Sequence, residues 1–293
     1  MTRMHEDELG IGEDLVRSLL AEQFPEWAGL PLRRIEPSGT VNAIFRLGDE
    51  LSVRLPRREG PTEPGSRELD WLPWLVPRLP VEIPVPVAQG GPGDGYPWFW
   101  EIHTWVEGET APVEAIDAIR AARDLAGLVG ALQKLDPTGA PPPGRGIALA
   151  ERDSAFRYWL ERFDGDPRVV TEWERALAAP AWDGPPIWHH GDLDCRNWLV
   201  RDGRITGVID WGAMGVGDPA CDVMVAWKLH SHAACYAFRE ALAIDDATWA
   251  RARGWAVSQA VAALAYYTPE NNPSLSHEAE TWLELVLSDR DCL

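Results

Sequence analysis

The amino-acid sequence predicts an α+β protein in two lobes, a β-rich first third followed by a mostly helical remainder, with the change near residues 103–104. Three observations carry that expectation. Val41, Ala43, Phe45 and Leu47 alternate with polar residues, as do Leu51, Val53 and Leu55, which is the period of half-buried strands. From Val113 onward the apolar spacing lengthens to the helical period in Ile116, Ile119, Ala122, Leu125, Leu128, Val129 and Leu132. Strands and helices do not alternate as β-α-β units, which argues against a doubly wound parallel sheet.

Each element follows from local pattern. Leu15, Val16, Leu19, Leu20 and Phe24 set a helix over Glu13–Phe24, and Pro25 ends it. Leu32–Glu36 is a strand. Pro37 to Thr40 turns into the strand of Val41–Leu47, and Gly48-Asp49 turns into that of Leu51–Leu55. A helix over Ser66–Val76 must kink or end at Pro73. Pro80, Pro84 and Pro86 flank Val81, Ile83, Val85 and Val87, which suits a short edge strand. Trp98–Val106 is apolar and aromatic and reads as a buried strand. Helices are expected at Val113–Leu135, Ala150–Arg162, Pro167–Ala178, Ala220–Leu229, Ala233–Ala243, Asp246–Ala265 and His277–Leu287. Between them lie a Pro/Gly-rich loop (Gly139–Gly146), a loop over Thr268–Asn272 and short extended pieces at Ile187–His190, Trp198–Val200 and Ile205–Ile209.

Composition narrows the function. With 293 residues, 45% hydrophobic and 25% charged, the chain has ordinary globular usage and room for one large or two modest domains. No stretch approaches the ~18 uninterrupted apolar residues of a membrane span, and Met1–Glu8 holds no apolar signal core, so a cytoplasmic location is expected. The formal charge of −19 excludes a general nucleic-acid binder, since such a surface repels phosphate backbones. Two readings of that charge stand: it keeps the protein soluble, or it helps collect a cationic substrate. Cys195, Cys221, Cys235 and Cys292 form no C-x-x-C pair and are expected as free thiols. Of 27 basic residues only Lys134 and Lys228 are lysines.

The chemistry concentrates in His189-His190-Gly191-Asp192-Leu193-Asp194-Cys195-Arg196-Asn197, followed by Asp210-Trp211-Gly212 and then Gly217-Asp218-Pro219-Ala220-Cys221-Asp222. Phosphoryl transfer to a hydroxyl needs a carboxylate near the acceptor and side chains that hold Mg²⁺ against the nucleotide phosphates. Asp192 suits the first task. Asn197, five residues on, returns to the same place on a tight loop and offers a neutral oxygen that adds no repulsion beside phosphates. Asp210 follows the apolar Val208-Ile209 and opens a glycine turn, where a hard carboxylate suits Mg²⁺. His190 has a buried structural role or a chemical one. Asp218 fits a helix N-cap with Pro219 at the first helical position.

The pattern H-x-D-L-x-x-x-N followed by D-[aromatic]-G resembles the catalytic and metal loops of the aminoglycoside phosphotransferase family, also called the phosphotransferase enzyme family. The resemblance spans about residues 30–290 and is most specific between His190 and Asp222. It implies a bilobal protein-kinase-like fold, with residues 1–103 as the nucleotide-binding lobe and 104–293 as the helical lobe that carries the catalytic and metal loops and the acceptor site. It implies ATP or GTP with Mg²⁺ as cofactors, and transfer of the γ-phosphate to a small-molecule hydroxyl. By resemblance Asp192, His190 and Arg196 are catalytic candidates, Asn197 and Asp210 hold the metal, and Asp218 and Asp222 support the catalytic loop from behind. The phosphate-covering turn falls on Ser38, Gly39 and Thr40. The third-strand cation falls on Arg54 with Glu68 as its helix partner, and backbone groups of Ile102, His103 and Thr104 meet the purine.

Two departures stand out. Arg54 occupies a position where kinases normally have Lys, and no lysine precedes Lys134 to replace it; Arg is a wider, permanently charged fork rather than an equivalent. Arg196 sits where relatives often carry Gly, and reaches phosphates or acceptor, or points to solvent. Only Ala213–Asp218 separate the metal turn from Pro219, too short for a peptide-docking segment, which argues for a small-molecule acceptor. Asp194, Glu270 and Glu278 are candidates to bind ammonium groups of an aminoglycoside-like, amino-sugar or amino-alcohol acceptor, or are solvated charges. A metallophosphoesterase lacks its further His and Asn ligands here. A nucleotide-binding pseudokinase is motivated by Arg54 and Arg196, and opposed by the presence of Asp192, Asn197 and Asp210.

Overall fold

A computed structural model describes residues 9–35, 41–58, 60–268 and 272–288. The chain divides into two compact units, Met1–Arg78 with Glu82–Glu107, and Leu79–Val81 with Gly108–Leu293.

The first unit opens with α1 (Glu13–Gln23), followed by β1 (Leu32–Arg34), β2 (Asn42–Leu47), β3 (Leu51–Pro56), α2 (Arg67–Leu75), β4 (Pro86–Gly90) and β5 (Trp100–Thr104). The strands form one antiparallel sheet in the order β1-β2-β3-β5-β4. The alternation read in the sequence is the burial pattern of the sheet: Ala43, Phe45, Leu47, Val53 and Leu55 face a core closed by Val16, Leu19 and Leu20 of α1. Pro73 does not end α2 at once, and the helix runs two residues further before tightening into a 3₁₀ turn at Val76–Arg78. The edge strand starts later than expected, at Pro86, because Pro80 and Pro84 bring no N–H to a ladder. The expected turn at Ser38, Gly39 and Thr40 lies outside the described residues.

The second unit contains α3 (Ala118–Leu132), α4 (Asp153–Leu160), α5 (Arg168–Ala178), β6 (Ile187–His189), β7 (Trp198–Arg201), β8 (Arg204–Val208), β9 (Gly215–Gly217), α6 (Ala220–Val223), α7 (His232–Leu242), α8 (Asp246–Tyr266) and α9 (Pro273–Ser288). Helix α8 is buried along most of its length and packs against α4, α5, α6 and α9. The core is rich in wholly buried aromatics, Trp173, Trp227, Trp249 and Trp255 among them. The helix expected over Ala220–Leu229 is instead one turn, α6, continued by a 3₁₀ run at Met224–Leu229. All ten of these residues are buried, so no polar face marks where the helical period changes. Strand β9 was not anticipated; two glycines around Val216 carry no strand signal, yet it pairs antiparallel with β6.

Candidate active site

The loop from His190 to Asn197 joins β6 to β7, and three constraints fix its shape. Asp222, buried at the start of α6, accepts the backbone N–H of His190 at 2.7 Å on Oδ2 and that of Gly191 at 2.8 Å on Oδ1. Gly191 has φ of 84°, and a Cβ there would lie 2.5 Å from the Ala213 carbonyl oxygen, so both conformation and space require glycine. His190 is fully buried against the edge of Trp211. Its Nδ1 accepts the Asp192 N–H at 3.1 Å, which assigns the proton to Nε2, donating to the Ile209 carbonyl at 3.1 Å. Both ring nitrogens are thus spent on backbone. The expectation of a catalytic His190 is corrected: the ring ties the Asp192 loop to the chain just before Asp210.

Asn197 returns beside Asp192, as its tight loop implied. Its Nδ2 donates to the Asp192 carbonyl at 2.9 Å, which leaves Oδ1 as the end of the amide turned from that bond. Strands β7 and β8 pair Trp198 with Val208, and the next rung joins the Ile209 N–H to the Asn197 carbonyl at 2.8 Å. Asp210 therefore follows directly at the same end of the hairpin. It is exposed and holds the left-handed conformation, φ 64° and ψ 65°. The Asn197 side-chain bond to the Asp192 carbonyl and the main-chain pairing of β7 with β8 place Asp192, Asn197 and Asp210 at this end of the hairpin.

Asp218 is buried and accepts the Ala220 N–H at 2.9 Å, as an N-capping carboxylate does. It also binds Arg251 of α8 through two hydrogen bonds, at 2.8 and 3.1 Å.

Two expected site residues are committed elsewhere. Asp194 is buried, with Lys228 at 3.1 Å and Arg196 at 2.6 Å. Burial alone would raise its carboxyl, but these two cations outweigh it and hold the group well below the usual carboxylate range. A neutralised, enclosed carboxylate offers no seat for a substrate ammonium, so that expectation is corrected. Arg196 was expected among the catalytic groups, yet its charge is taken up by Asp194 and, at 3.4 Å, by Glu278 of α9. Glu278 also accepts the Ser274 hydroxyl at 3.0 Å. Glu270 lies outside the described residues. Asp194, Cys195 and Glu278 converge closely enough to suggest a metal site, but Lys228 and Arg196 already balance the two carboxylates. Burial and the neighbouring carboxylates push the Cys195 thiol up, which makes it inert.

In the sheet unit, Arg54 on β3 pairs with Glu68 on α2 at 2.9 Å, both side chains nearly buried. Glu101 lies directly across from Arg54 in the β3–β5 register and binds His103 Nε2 at 2.6 Å. Burial works against ionisation of Glu101, but His103, the Ser66 hydroxyl and Arg54 together hold its carboxyl below the ordinary value. The expected purine contacts fell on backbone groups of Ile102, His103 and Thr104, all within β5. Strand β5 is central, between β3 and β4, with Ile102 paired to both Val53 and Ala88. The Thr104 N–H goes to Val85 at 2.8 Å, and the His103 side chain is wholly buried. Most of the backbone hydrogen-bonding capacity of this strand is thus used within the sheet.

Arg145 was missed. Its guanidinium hydrogen-bonds Oδ1 of Asp192 from the Pro/Gly-rich loop, 47 residues earlier in the chain. The sequence signal was faint: one arginine between two glycines after three prolines.

A family model described as the phosphotransferase enzyme family matches residues 32–255. No curated protein matches the chain. Among solved structures, the GDP and kanamycin complex of APH(2")-IIia is similar at 17% identity and a TM-score of 0.70, over 94% of this chain and 99% of that one. ADP-bound aminoglycoside phosphotransferase APH(2'')-Ib is similar at 16% identity and a TM-score of 0.57, over 92% and 98%. The apoenzyme of macrolide 2'-phosphotransferase MphH from Brachybacterium faecium is similar at 25% identity and a TM-score of 0.60, over 94% and 97%.

Proposed function

Because this chain belongs to the phosphotransferase enzyme family, we propose that it transfers the γ-phosphate of ATP or GTP to a hydroxyl of a small molecule in the cytoplasm. The observation that carries the reading is the convergence of Asp192, Asn197 and Asp210 at one end of the β7–β8 hairpin. In the transfer, the acceptor oxygen bonds to the γ-phosphorus as the bond to the β,γ-bridging oxygen breaks. The electron pair of that bond leaves on the nucleoside diphosphate. Asp192 orients the acceptor hydroxyl and takes its proton.

The carboxylate of Asp210 and the amide oxygen of Asn197 are hard oxygen donors, a set that fits Mg²⁺. When bound, that ion would neutralise phosphate charge. Asn197 can present its oxygen because its nitrogen is anchored on the Asp192 carbonyl. Asp222 and His190 keep Asp192 in place through the backbone. In the sheet unit, Arg54 is assigned to the nucleotide phosphates, with Glu68 and Glu101 orienting the guanidinium; because the Trp105 N–H is bonded to the Glu50 carbonyl at 2.7 Å, the base is assigned to Val106 and Glu107. Support for a small acceptor comes from the chain after Asp210. It is one 3₁₀ turn (Trp211–Ala213) and the short β9, which offers no peptide-docking platform.

The similar proteins act on, or were captured with, aminoglycosides and a macrolide, which sets the acceptor classes to try first. An aminoglycoside-like or other cationic acceptor fits the overall charge, with amino sugars and amino alcohols next. The test is nucleotide consumption with ATP and with GTP across aminoglycosides, macrolides, amino sugars and amino alcohols. Asp192→Ala is expected to abolish acceptor-dependent turnover while nucleotide binding survives. No turnover with any acceptor, or full turnover in Asp192→Ala, would overturn the assignment.

A further inference from the structure

We infer that Arg145 is a positioning residue for the transfer step, holding one oxygen of Asp192 so that the other meets the acceptor hydroxyl, and cancelling the charge an acceptor encounters there. The inference rests on the transferase reading above.

The loop that carries Arg145 is strapped down on both sides of it. The Val216 N–H donates to the Pro141 carbonyl at 3.2 Å, and the Asp218 N–H to the Gly146 carbonyl at 2.9 Å. The Gly146 N–H donates to His189 Nε2 at 3.3 Å. A Cβ at Gly144 would lie 2.4 Å from the Ala213 carbonyl oxygen, and one at Gly146 would lie 2.3 Å from the His189 ring. The three prolines 141–143 restrict the approach to this seat. The Arg145 backbone is therefore fixed against β6, β9 and the turn after Asp210, the segments that frame the candidate catalytic loop.

From this anchored base the guanidinium binds Oδ1 of Asp192. Both side chains stay partly open, 39% and 28% exposed, so an incoming molecule can reach the second carboxylate oxygen. The terminal torsion of an Asp is broad and two-fold, and an unrestrained carboxylate would sample many orientations. A guanidinium nitrogen, Nη1, held on one oxygen restricts that freedom. During transfer the acceptor O–H oxygen bonds to phosphorus, its proton moves to Oδ2, and Arg145 stays on Oδ1 throughout. The same guanidinium balances the charge of Asp192 itself. Asp194, two residues on, is already neutralised by Lys228 and Arg196, and Asp210 is the carboxylate assigned to Mg²⁺. An ammonium beside the reacting hydroxyl thus gains nothing at this point, and cationic groups of an acceptor must bind farther away.

The experiment is steady-state kinetics of the wild type, Arg145→Lys and Arg145→Ala on an acceptor that the wild type phosphorylates, with unfolding midpoints measured in parallel. Arg145→Ala should lose ~10- to 100-fold in kcat, as expected for a misplaced reacting group, with little change in nucleotide KM. Arg145→Lys should recover part of the loss. Guanidinium chloride well below denaturing concentration should partly rescue Arg145→Ala, which a merely structural arginine would not show. Between matched acceptors with and without an ammonium beside the hydroxyl, Arg145→Ala should shift kcat/KM toward the charged one. Unchanged or raised kcat in Arg145→Ala, or a loss that guanidinium does not touch in a protein of wild-type stability, overturns the inference and leaves the transferase reading standing. A wild type with no turnover on any acceptor removes both.

Discussion

Asp210 holds a backbone conformation that costs most L-residues about 1–2 kcal/mol, and that Asn and Asp tolerate best. The choice of substitution therefore separates chemistry from strain. Asp210→Asn keeps the side chain suited to that conformation and removes only the charge. It should unfold at nearly the wild-type denaturant midpoint and lose Mg²⁺-dependent nucleotide binding in a metal titration. Asp210→Ala should lose both metal response and about 1 kcal/mol of stability. Asp222 makes the opposite case, since it touches no reacting group. Its two oxygens satisfy the His190 and Gly191 amides in a buried place. Asp222→Ala should cost about 1–3 kcal/mol for each buried amide left without a partner, read by chemical denaturation, and lower kcat through a displaced Asp192.

Helix α6 is one turn long, yet it is held firmly because Asp218 at its start and Arg251 on α8 form a buried, doubly hydrogen-bonded pair, each side chain only 4% exposed. Removing one partner of such a pair strands a charge. Arg251→Ala should destabilise by about 3–5 kcal/mol, and the double variant Asp218→Asn/Arg251→Met should recover part of that loss in the same unfolding assay. In the sheet unit, Arg54→Ala should weaken nucleotide binding while the fold of β3 persists; unchanged affinity would show that the third-strand cation has been misplaced. These elements also show what sequence reading reaches. Strand β2 was legible because its burial alternates with a strict period, and β3 because Val53 and Leu55 keep that period although Ser52 is buried as well. The loop from His190 to Asn197 was legible because its chemistry lies within eight residues. Lys228 on Asp194 and Arg145 on Asp192 were not, since they join positions 34 and 47 residues apart and depend on how the helical unit closes. For a related reason, the aromatic, apolar run around Ile102–Thr104 identified a buried strand but not that it would be paired on both edges.

At the scale of the whole molecule, a chain with formal charge −19 would be expected to loosen as pH rises, through self-repulsion. Particular carboxylates oppose that trend. Asp194 titrates below its ordinary range when folded, so the unfolded chain binds its proton more readily. Its contribution to stability is therefore complete above the unfolded value and is lost as pH falls through the folded one. Asp194→Asn should be less stable than wild type by a constant margin from about pH 5 to about pH 8, and the gap should close below about pH 4. Denaturant midpoints across that range measure it, and a margin that grows on acidification would contradict the pairing with Lys228. The scarcity of lysine has a practical reach of its own. Lys228 is buried in that pair, Lys134 is exposed, and neither belongs to the sheet unit, where Arg54 stands instead. Acylating nucleotide probes that label kinases on a phosphate-site amine would find no lysine to modify there, and covalent coupling through lysine would attach the protein by a single point, at the foot of α3.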